Sequence, residues 1–320
     1  MDAHVPTTLH EAIAYYSNPD NCLRSAIALR WPDGKVTCPT CGSAEVTLLS
    51  TRQIWKCKTK HSKQQFSAKV GTIFEDSPIG LDKWFTAIWL ISNCKNGVSS
   101  CEIARDLGVT QKTAWFMMHR IRTAMQEAGT VEKFAGEVEA DETFIGGLAR
   151  FMHKDKRGQR IKGTGGAGKA VVMGLLDRHS KKVRLIHLPN VQGDTLKKHV
   201  RKYVEGGAYL FTDAFVGYHG LDHEYVHSVI DHAEAYVRGN VHTNMIENFW
   251  SLLKRGLKGT YVSVEPFHLF RYLDEQAFRY NKRQTDDATR FTETLVSVVG
   301  RRLTYKQLTG KTQLDPAPLS

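Results

Sequence analysis

The sequence predicts an α/β protein, a mixed sheet flanked by helices, with two smaller modules ahead of it. Three observations carry that expectation. From Glu137 to about Tyr261, short apolar runs suited to strands are interleaved with runs at helical spacing. Residues 81–128 hold helical runs punctuated by cap signals, and residues 38–61 hold closely spaced cysteines within short strand-like runs. The chain divides accordingly into an entry segment with a small metal-held module (1–75), a helical module (76–130), the α/β domain (131–300) and a polar, proline-containing tail (301–320).

At 320 residues, two or three domains can each bury an ordinary core, and the hydrophobic share of 41% is that of a soluble globular protein. The formal charge of +11 favours a polyanionic partner, nucleic acid or an acidic membrane surface. No stretch approaches the length of apolar sequence that spans a bilayer, and Met1-Asp2-Ala3-His4-Val5-Pro6 lacks the basic and then apolar pattern of a secretory leader. The expected location is the cytoplasm. Six cysteines in that reducing compartment are not a disulfide framework, so clustered ones point to metal.

Residues 1 to about 30 have helical spacing and end at the turn Trp31-Pro32-Asp33-Gly34. Cys38-Pro39-Thr40-Cys41-Gly42 follows, then Cys57 and His61. Three thiolates and an imidazole are the donors that tetrahedral zinc prefers. A module of about forty residues cannot bury a sufficient core, so this zinc would be structural. Cys22, Cys94 and Cys101 have no partner spacing and are expected as small buried apolar residues.

Residues 81–95 form an apolar helix after the Pro78-Ile79-Gly80 turn. Ser99-Ser100-Cys101-Glu102 is a capping box that opens a short helix to Leu107, Gly108 ends it, and Thr110 caps a longer helix to about Ala128. This is a helix-turn-helix pattern. Gln111, Lys112 and Thr113 at the start of its second helix suit base-edge contact, and His119, Arg120 and Arg122 suit phosphate contact farther along. A plain pair of packed helices is the competing reading.

The α/β domain begins with the alternating strand Glu137-Val138-Glu139-Ala140-Asp141-Glu142-Thr143-Phe144-Ile145, followed by Gly146-Gly147. Strands at 170–176 and 183–188, a helix at 195–204, strands at 208–212 and 225–230 and a helix at 245–257 complete the order. That succession is the ribonuclease H-like one, in which the first strand, the end of the fourth and the last helix meet. Asp141, Asp213 and Glu247 lie on those three elements, 71 and then 33 intervening residues apart. Clustered carboxylates repel one another, and a fold tolerates three together mainly when divalent cations neutralise them; paired hard cations serve phosphoryl transfer.

On the last helix Ile246, Phe249, Trp250, Leu253 and Leu257 make a buried stripe, and Glu247, Lys254 and Lys258 share its flank. Glu247 and Lys254 stand about 10 Å apart along the axis, so one can touch a metal while the other grips a phosphate. The alternative is that Asn244 caps the helix and Glu247 completes a capping box, leaving Asn244 or Asn248 for the metal site.

Residues 150–202 carry fifteen lysines and arginines against three aspartates, so the basic excess is local. Arg150, Lys154, Lys156, Arg157, Arg160, Lys162 and Lys169 lie on a glycine-rich loop after the first strand, where they could clamp phosphates beside the metals; a solvated loop is the alternative. Gly163-x-x-x-x-Gly168-Lys169 imitates a nucleotide-binding P-loop, but Ala170 replaces the magnesium-binding Ser or Thr and a strand follows, which excludes an ATPase.

Taken together, the sequence resembles the DDE transposases of bacterial insertion sequences, in the group with an N-terminal zinc ribbon, a helix-turn-helix and an ISXO2-like catalytic domain. The likeness spans roughly residues 20–300. It is carried by Cys38-Pro-x-Cys-Gly42, Gly71-Thr-Ile-Phe-Glu-Asp76, Ala104-Arg-Asp-Leu-Gly-Val-Thr-Gln-Lys-Thr-Ala-Trp115, Glu139-Ala-Asp-Glu-Thr-Phe-Ile-Gly-Gly147, Thr212-Asp213 and His242-Thr-Asn-Met-Ile-Glu-Asn-Phe-Trp-Ser-Leu-Leu-Lys-Arg255. The resemblance implies that Asp141, Asp213, Glu247 and Lys254 are the catalytic signature. Where the family ends its ribbon with a second Cys-x-x-Cys, this chain has Cys57 and His61.

The implied activity is that of a polynucleotidyl transferase. Asp141, Asp213 and Glu247 would hold two Mg2+ or Mn2+ ions, and Cys38, Cys41, Cys57 and His61 a structural Zn2+. Double-stranded DNA, as element ends and target, would meet Gln111, Lys112, Thr113, Arg120, Arg122, Lys156, Arg157, Arg160 and Lys258. The family implies a homodimer or larger assembly on nucleoid DNA, and no membrane partner. Two other readings stay open, a DNA-binding regulator with a repurposed catalytic domain and a structure-selective ribonuclease H-like nuclease.

Overall fold

A computed structural model of the protein describes residues 5–127, 132–146, 169–230 and 242–310. Two compact units divide them: residues 5–126 with 282–310, and the residues between. Among the described residues, no helix is long and apolar enough to cross a membrane.

The first unit opens with α1 (Leu9–Tyr16), capped by the Thr8 hydroxyl, and α2 (Pro19–Arg30), capped by Asn18 with proline in its first turn. A three-stranded antiparallel sheet follows, β1 (Val46–Leu49), β2 (Ile54–Cys57) and β3 (Gln65–Phe66). Its core is small. Trp31, Trp55 and Phe66 meet with ring centroids 5.5–6.2 Å apart, and Cys38 and Cys57 are buried beside them.

Helices α3 (Leu81–Asn93), α4 (Ser100–Leu107) and α5 (Gln111–Met125) come next. The capping box at Ser99 and Glu102 forms with both of its hydrogen bonds, Gly108 adopts the left-handed conformation at φ 59°, and Thr110 caps α5. The third helix buries Trp84, Phe85, Ile88, Trp89 and Ile91. The C-terminal segment packs here rather than with the α/β sheet, which ends its own unit at Asn281. Phe291 of α9 (Asp287–Val296) meets Trp89, with ring centroids 5.0 Å apart, and Thr294 shares a hydrogen bond of 3.0 Å with Ser92. Residues 298–300 pair with 71–73 through a Thr72–Val299 bridge and the bonds Ile73 N to Val298 O (3.1 Å) and Gly300 N to Gly71 O (2.7 Å). A short helix, α10 (Tyr305–Leu308), closes the described chain.

The second unit is built on a five-stranded mixed sheet of β4 (Glu137–Ile145), β5 (Ala170–Asp177), β6 (Lys182–Leu188), β7 (Tyr209–Asp213) and β8 (Val226–Ile230), in the order β6-β5-β4-β7-β8. The first three are mutually antiparallel, and β7 and β8 run parallel to β4 and to each other. On one face lies α6 (Gly193–Tyr203), whose Leu196 and Val200 pack in one core with Val138, Ala140 and Leu175. The other face carries α7 (Asn244–Gly259) and α8 (Leu269–Asn281), with Ile246, Phe249, Trp250 and Leu253 in a core with Val172 and Leu176. The two-residue period of β4 therefore gives Val138 and Ala140 to the α6 side, and Glu139 and Asp141 to the α7 side.

Candidate active site and metal centre

In the first unit Cys38, Cys41, Cys57 and His61 each offer one ligand atom, and all four atoms lie within 4.8 Å of one another. Cys38 Sγ is 3.4 Å from His61 Nε2, and Cys41 Sγ is 3.6 Å from Cys57 Sγ. Tetrahedral zinc with Zn–S near 2.3 Å requires S···S of about 3.8 Å and S···N slightly less, so the donor set and its spacing fit zinc. The Lys63 amide donates to His61 Nδ1 at 3.3 Å, which turns Nε2 towards the sulfurs. Burial opposes ionisation of Cys38, yet the Cys41 and Thr40 amides and the neighbouring thiols bring it down to about 6, towards the thiolate a metal needs. Among the other cysteines Cys22 is buried as expected, Cys94 is partly buried, and Cys101 is exposed on α4.

In the second unit Asp141 lies midway along β4 and Asp213 ends β7. Strands β4 and β7 pair in parallel with Glu139 opposite Phe211, so Asp141 and Asp213 both lie two residues beyond that pair. Asp141 Oδ2 accepts from the Trp250 indole at 2.8 Å, and Oδ1 from the Glu142 amide at 2.8 Å. Trp250 stands on α7 less than one turn after Glu247, whose carboxylate accepts from the Thr243 hydroxyl at 3.1 Å. Burial chiefly, and then the charges of Asp213 and Glu247, push Asp141 up to about 6 against the Trp250 donor. The charges of Asp213 and Glu247 thus act on Asp141, and carboxylate oxygens are the hard donors that suit a divalent cation.

Three residues of this site were not singled out from the sequence. Gly174 on β5 is paired with Asp141, and a Cβ there would stand 2.7 Å from the Trp250 ring, so glycine lets the indole lie against the sheet. A glycine inside the apolar run Val171-Val172-Met173-Gly174-Leu175-Leu176 was the available signal. Glu142 is pushed up to about 8, chiefly by burial and then by the charges of Asp141 and Asp213, although the hydroxyl of the buried Tyr218 donates to it.

The capping box once open for α7 does not form. Thr243, not Asn244, is the N-cap, without a side-chain cap, and the Ile246 amide donates instead to Glu139 Oε2 at 2.9 Å. Lys254 is partly buried on the same helix and Lys258 is exposed.

On α5, Gln111 and Lys112 are exposed and Thr113 is partly buried. Gln111 donates to the Ser100 hydroxyl at 2.8 Å, and the Lys112 ammonium stands 5.4 Å from the Tyr305 ring centroid. The phosphate-contact expectation for Arg120 and Arg122 is corrected: they are only 4% and 1% exposed, and His119 is wholly buried. Arg120 donates to the carbonyls of Ile73 (2.8 Å), Glu75 (2.7 Å) and Leu303 (3.0 Å), holding 73–75 and the C-terminal segment together. Helical position alone could not reveal that the C-terminal segment covers this face. Lys156, Arg157 and Arg160, with most of their basic loop, lie outside the described residues.

Both units carry a stretch that matches a known protein family. Residues 133–281 match the model of an ISXO2-like transposase domain, and residues 17–59 that of a transposase zinc-ribbon domain. An uncharacterized protein in transposable element ISH50 of Halobacterium salinarum is 24% identical over 239 residues, covering 72% of this chain and 80% of that protein. An uncharacterized transposase-like protein of Haemophilus influenzae is 33% identical over 104 residues, 32% of this chain and 84% of its own length. A solved structure of a simian T-cell lymphotropic virus intasome in complex with PP2A regulatory subunit B56 gamma matches at TM-score 0.27 and 11% identity, over 58% of this chain and 66% of that one, too slight a likeness to argue from. The chain belongs to the transposases that join a zinc ribbon to an ISXO2-like transposase domain.

Proposed function

We propose that this chain binds the terminal inverted repeats of an insertion sequence and catalyses cleavage and strand transfer at the Asp141, Asp213 and Glu247 site. The carrying observation is that Asp213 and Glu247 act electrostatically on the partly buried Asp141. The strand order β6-β5-β4-β7-β8, antiparallel through β4 and parallel beyond it, supports a ribonuclease H-like reading of the domain. The capped pair α4 and α5, joined through left-handed Gly108, supports a helix-turn-helix reading, with Gln111, Lys112 and Thr113 facing DNA bases.

Asp141, Asp213 and Glu247 would hold the divalent cations. When bound, Mg2+ or Mn2+ supplies activation of the attacking oxygen and stabilisation of the leaving one. Trp250 and the Glu142 amide orient the Asp141 carboxylate. Lys254, two turns beyond Glu247, neutralises a phosphate of the bound strand. Water attacks a phosphodiester at the element end, the P–O3′ bond breaks and a 3′-hydroxyl leaves. That hydroxyl then attacks a target phosphodiester, forming a new P–O bond as the target's own P–O3′ bond breaks. Lys258, and Lys156, Arg157 and Arg160 of the basic loop, would add phosphate contacts. A dimer or larger assembly would pair two ends on nucleoid DNA in the cytoplasm.

The test is competition between DNA carrying the element's inverted repeats and branched DNA of unrelated sequence, in magnesium. Preferential nicking of repeats followed by joining to a target supports the proposal; preferential cutting of branches would make the chain a structure-selective nuclease.

A further inference from the structure

Two residues before Asp141, a buried glutamate pairs with a partly buried arginine that also reaches Glu137. Glu139 is 0% exposed, and its Oε1 accepts from Arg178 Nε at 2.8 Å. Arg178 reaches each element that carries a member of the trio. On β4 it holds Glu139, two residues before Asp141; on β7 it stacks over Phe211, two residues before Asp213, with the guanidinium carbon 3.9 Å from the ring centroid. At the entry to α7 it donates to the His242 carbonyl and lies 3.1 Å from His242 Nδ1, five residues before Glu247.

The other Glu139 oxygen accepts from the Ile246 amide at 2.9 Å. This gives α7 the N-terminal acceptor that its own Thr243 does not supply, from a strand 107 residues earlier in the chain. The helix is thus pinned to β4 at two points, Ile246 to Glu139 and Trp250 to Asp141. Four helical residues rise about 6 Å and two strand residues span about 7 Å, so the two attachments match in length and set the register of helix against strand. Glu247 lies between them.

We propose that Glu139 and Arg178 are positioning residues that fix the register of α7 on β4 and β7, so that Glu247 is presented beside Asp141 and Asp213. The inference rests on the proposed role of those three carboxylates. Glu139 is wholly buried and neutralised by Arg178, whereas Asp141, Asp213 and Glu247 are each partly exposed, so its role is to orient and not to ligate. Orienting groups of this kind change metal affinity by about 10- to 100-fold when removed.

The experiment measures Mn2+ binding to the full chain by electron paramagnetic resonance, for wild type, Asp141→Asn, Glu139→Gln and the double variant Glu139→Gln with Arg178→Met. The double variant leaves no lone buried charge and so retains a folded chain if the single one does not. The expected result is Mn2+ binding about tenfold or more weaker in Glu139→Gln and in the double variant, with strand cleavage restored by raising Mn2+. Wild-type Mn2+ affinity in both would overturn the inference. So would a Glu139→Gln protein as inactive as Asp141→Asn at saturating Mn2+, which would make Glu139 a ligand. Wild type that binds Mn2+ no better than Asp141→Asn would instead overturn the underlying site reading.

Discussion

The indole Nε1 of Trp250 donates a 2.8 Å hydrogen bond to Oδ2 of Asp141, so an α7 side chain orients a carboxylate on β4. Trp250→Phe keeps an aromatic ring and deletes the donor. Because that donor lowers the Asp141 pKa, its loss moves the acidic limb of the cleavage pH profile to higher pH. The variant should also lose about 1 kcal/mol of stability. A pH profile unmoved from wild type would count against the role given to Trp250.

Asp141 sits at about 6 instead of 3.8 in the metal-free protein, chiefly through burial, so the folded unit holds this proton more tightly than the unfolded chain does. Its contribution to stability is full below pH 4 and is lost as pH rises through 6. The loss is on the order of 3 kcal/mol. Asp141→Asn removes the cost, so in magnesium-free buffer at pH 7 the variant should unfold at higher denaturant than wild type, with the gap closing near pH 4. A variant less stable than wild type at pH 7 would contradict this.

Zinc content and ribbon stability should move together. Purified protein should carry one zinc per chain by atomic emission, Cys57→Ser should lose it, and His61→Cys should keep it because a fourth thiolate completes the same tetrahedron. Retention of full zinc by Cys57→Ser would remove that residue from the centre.

Arg120 and Lys112 share one helix but should behave oppositely. Arg120→Met leaves three backbone carbonyls without their donor and should cost about 3 kcal/mol in the first unit. Lys112→Ala leaves stability within about 0.5 kcal/mol, as exposed substitutions do, and weakens binding of end DNA. Thermal melts and gel-shift titrations separate the two effects, and reduced DNA affinity in a fully stable Arg120→Met protein would restore Arg120 to the DNA surface.

Much of this architecture was legible because local rules decided it. Ser99, Glu102, Gly108 and Thr110 announce helix ends by their own chemistry, and the strands of the α/β unit appear near their expected positions because apolar runs between turns leave few alternatives. The Cys-x-x-Cys turn with Cys57 and His61 likewise fixed its own partners. What stayed hidden depends on contacts distant in sequence. The burial of Arg120 needs the C-terminal segment, the cap on α7 comes from Glu139, and Gly174 matters only because Trp250 packs on it. Residues 282–300 read as the end of the α/β domain because nothing local says that Phe291 and Thr294 find their partners on α3.

The central claim is that Asp141 anchors magnesium-dependent cleavage without being needed to hold DNA. The direct measurement pairs a gel-shift titration of element-end DNA with an end-cleavage assay in magnesium, for wild type and Asp141→Asn. The account predicts equal binding and cleavage by wild type alone; undiminished magnesium-dependent cleavage by Asp141→Asn would contradict it.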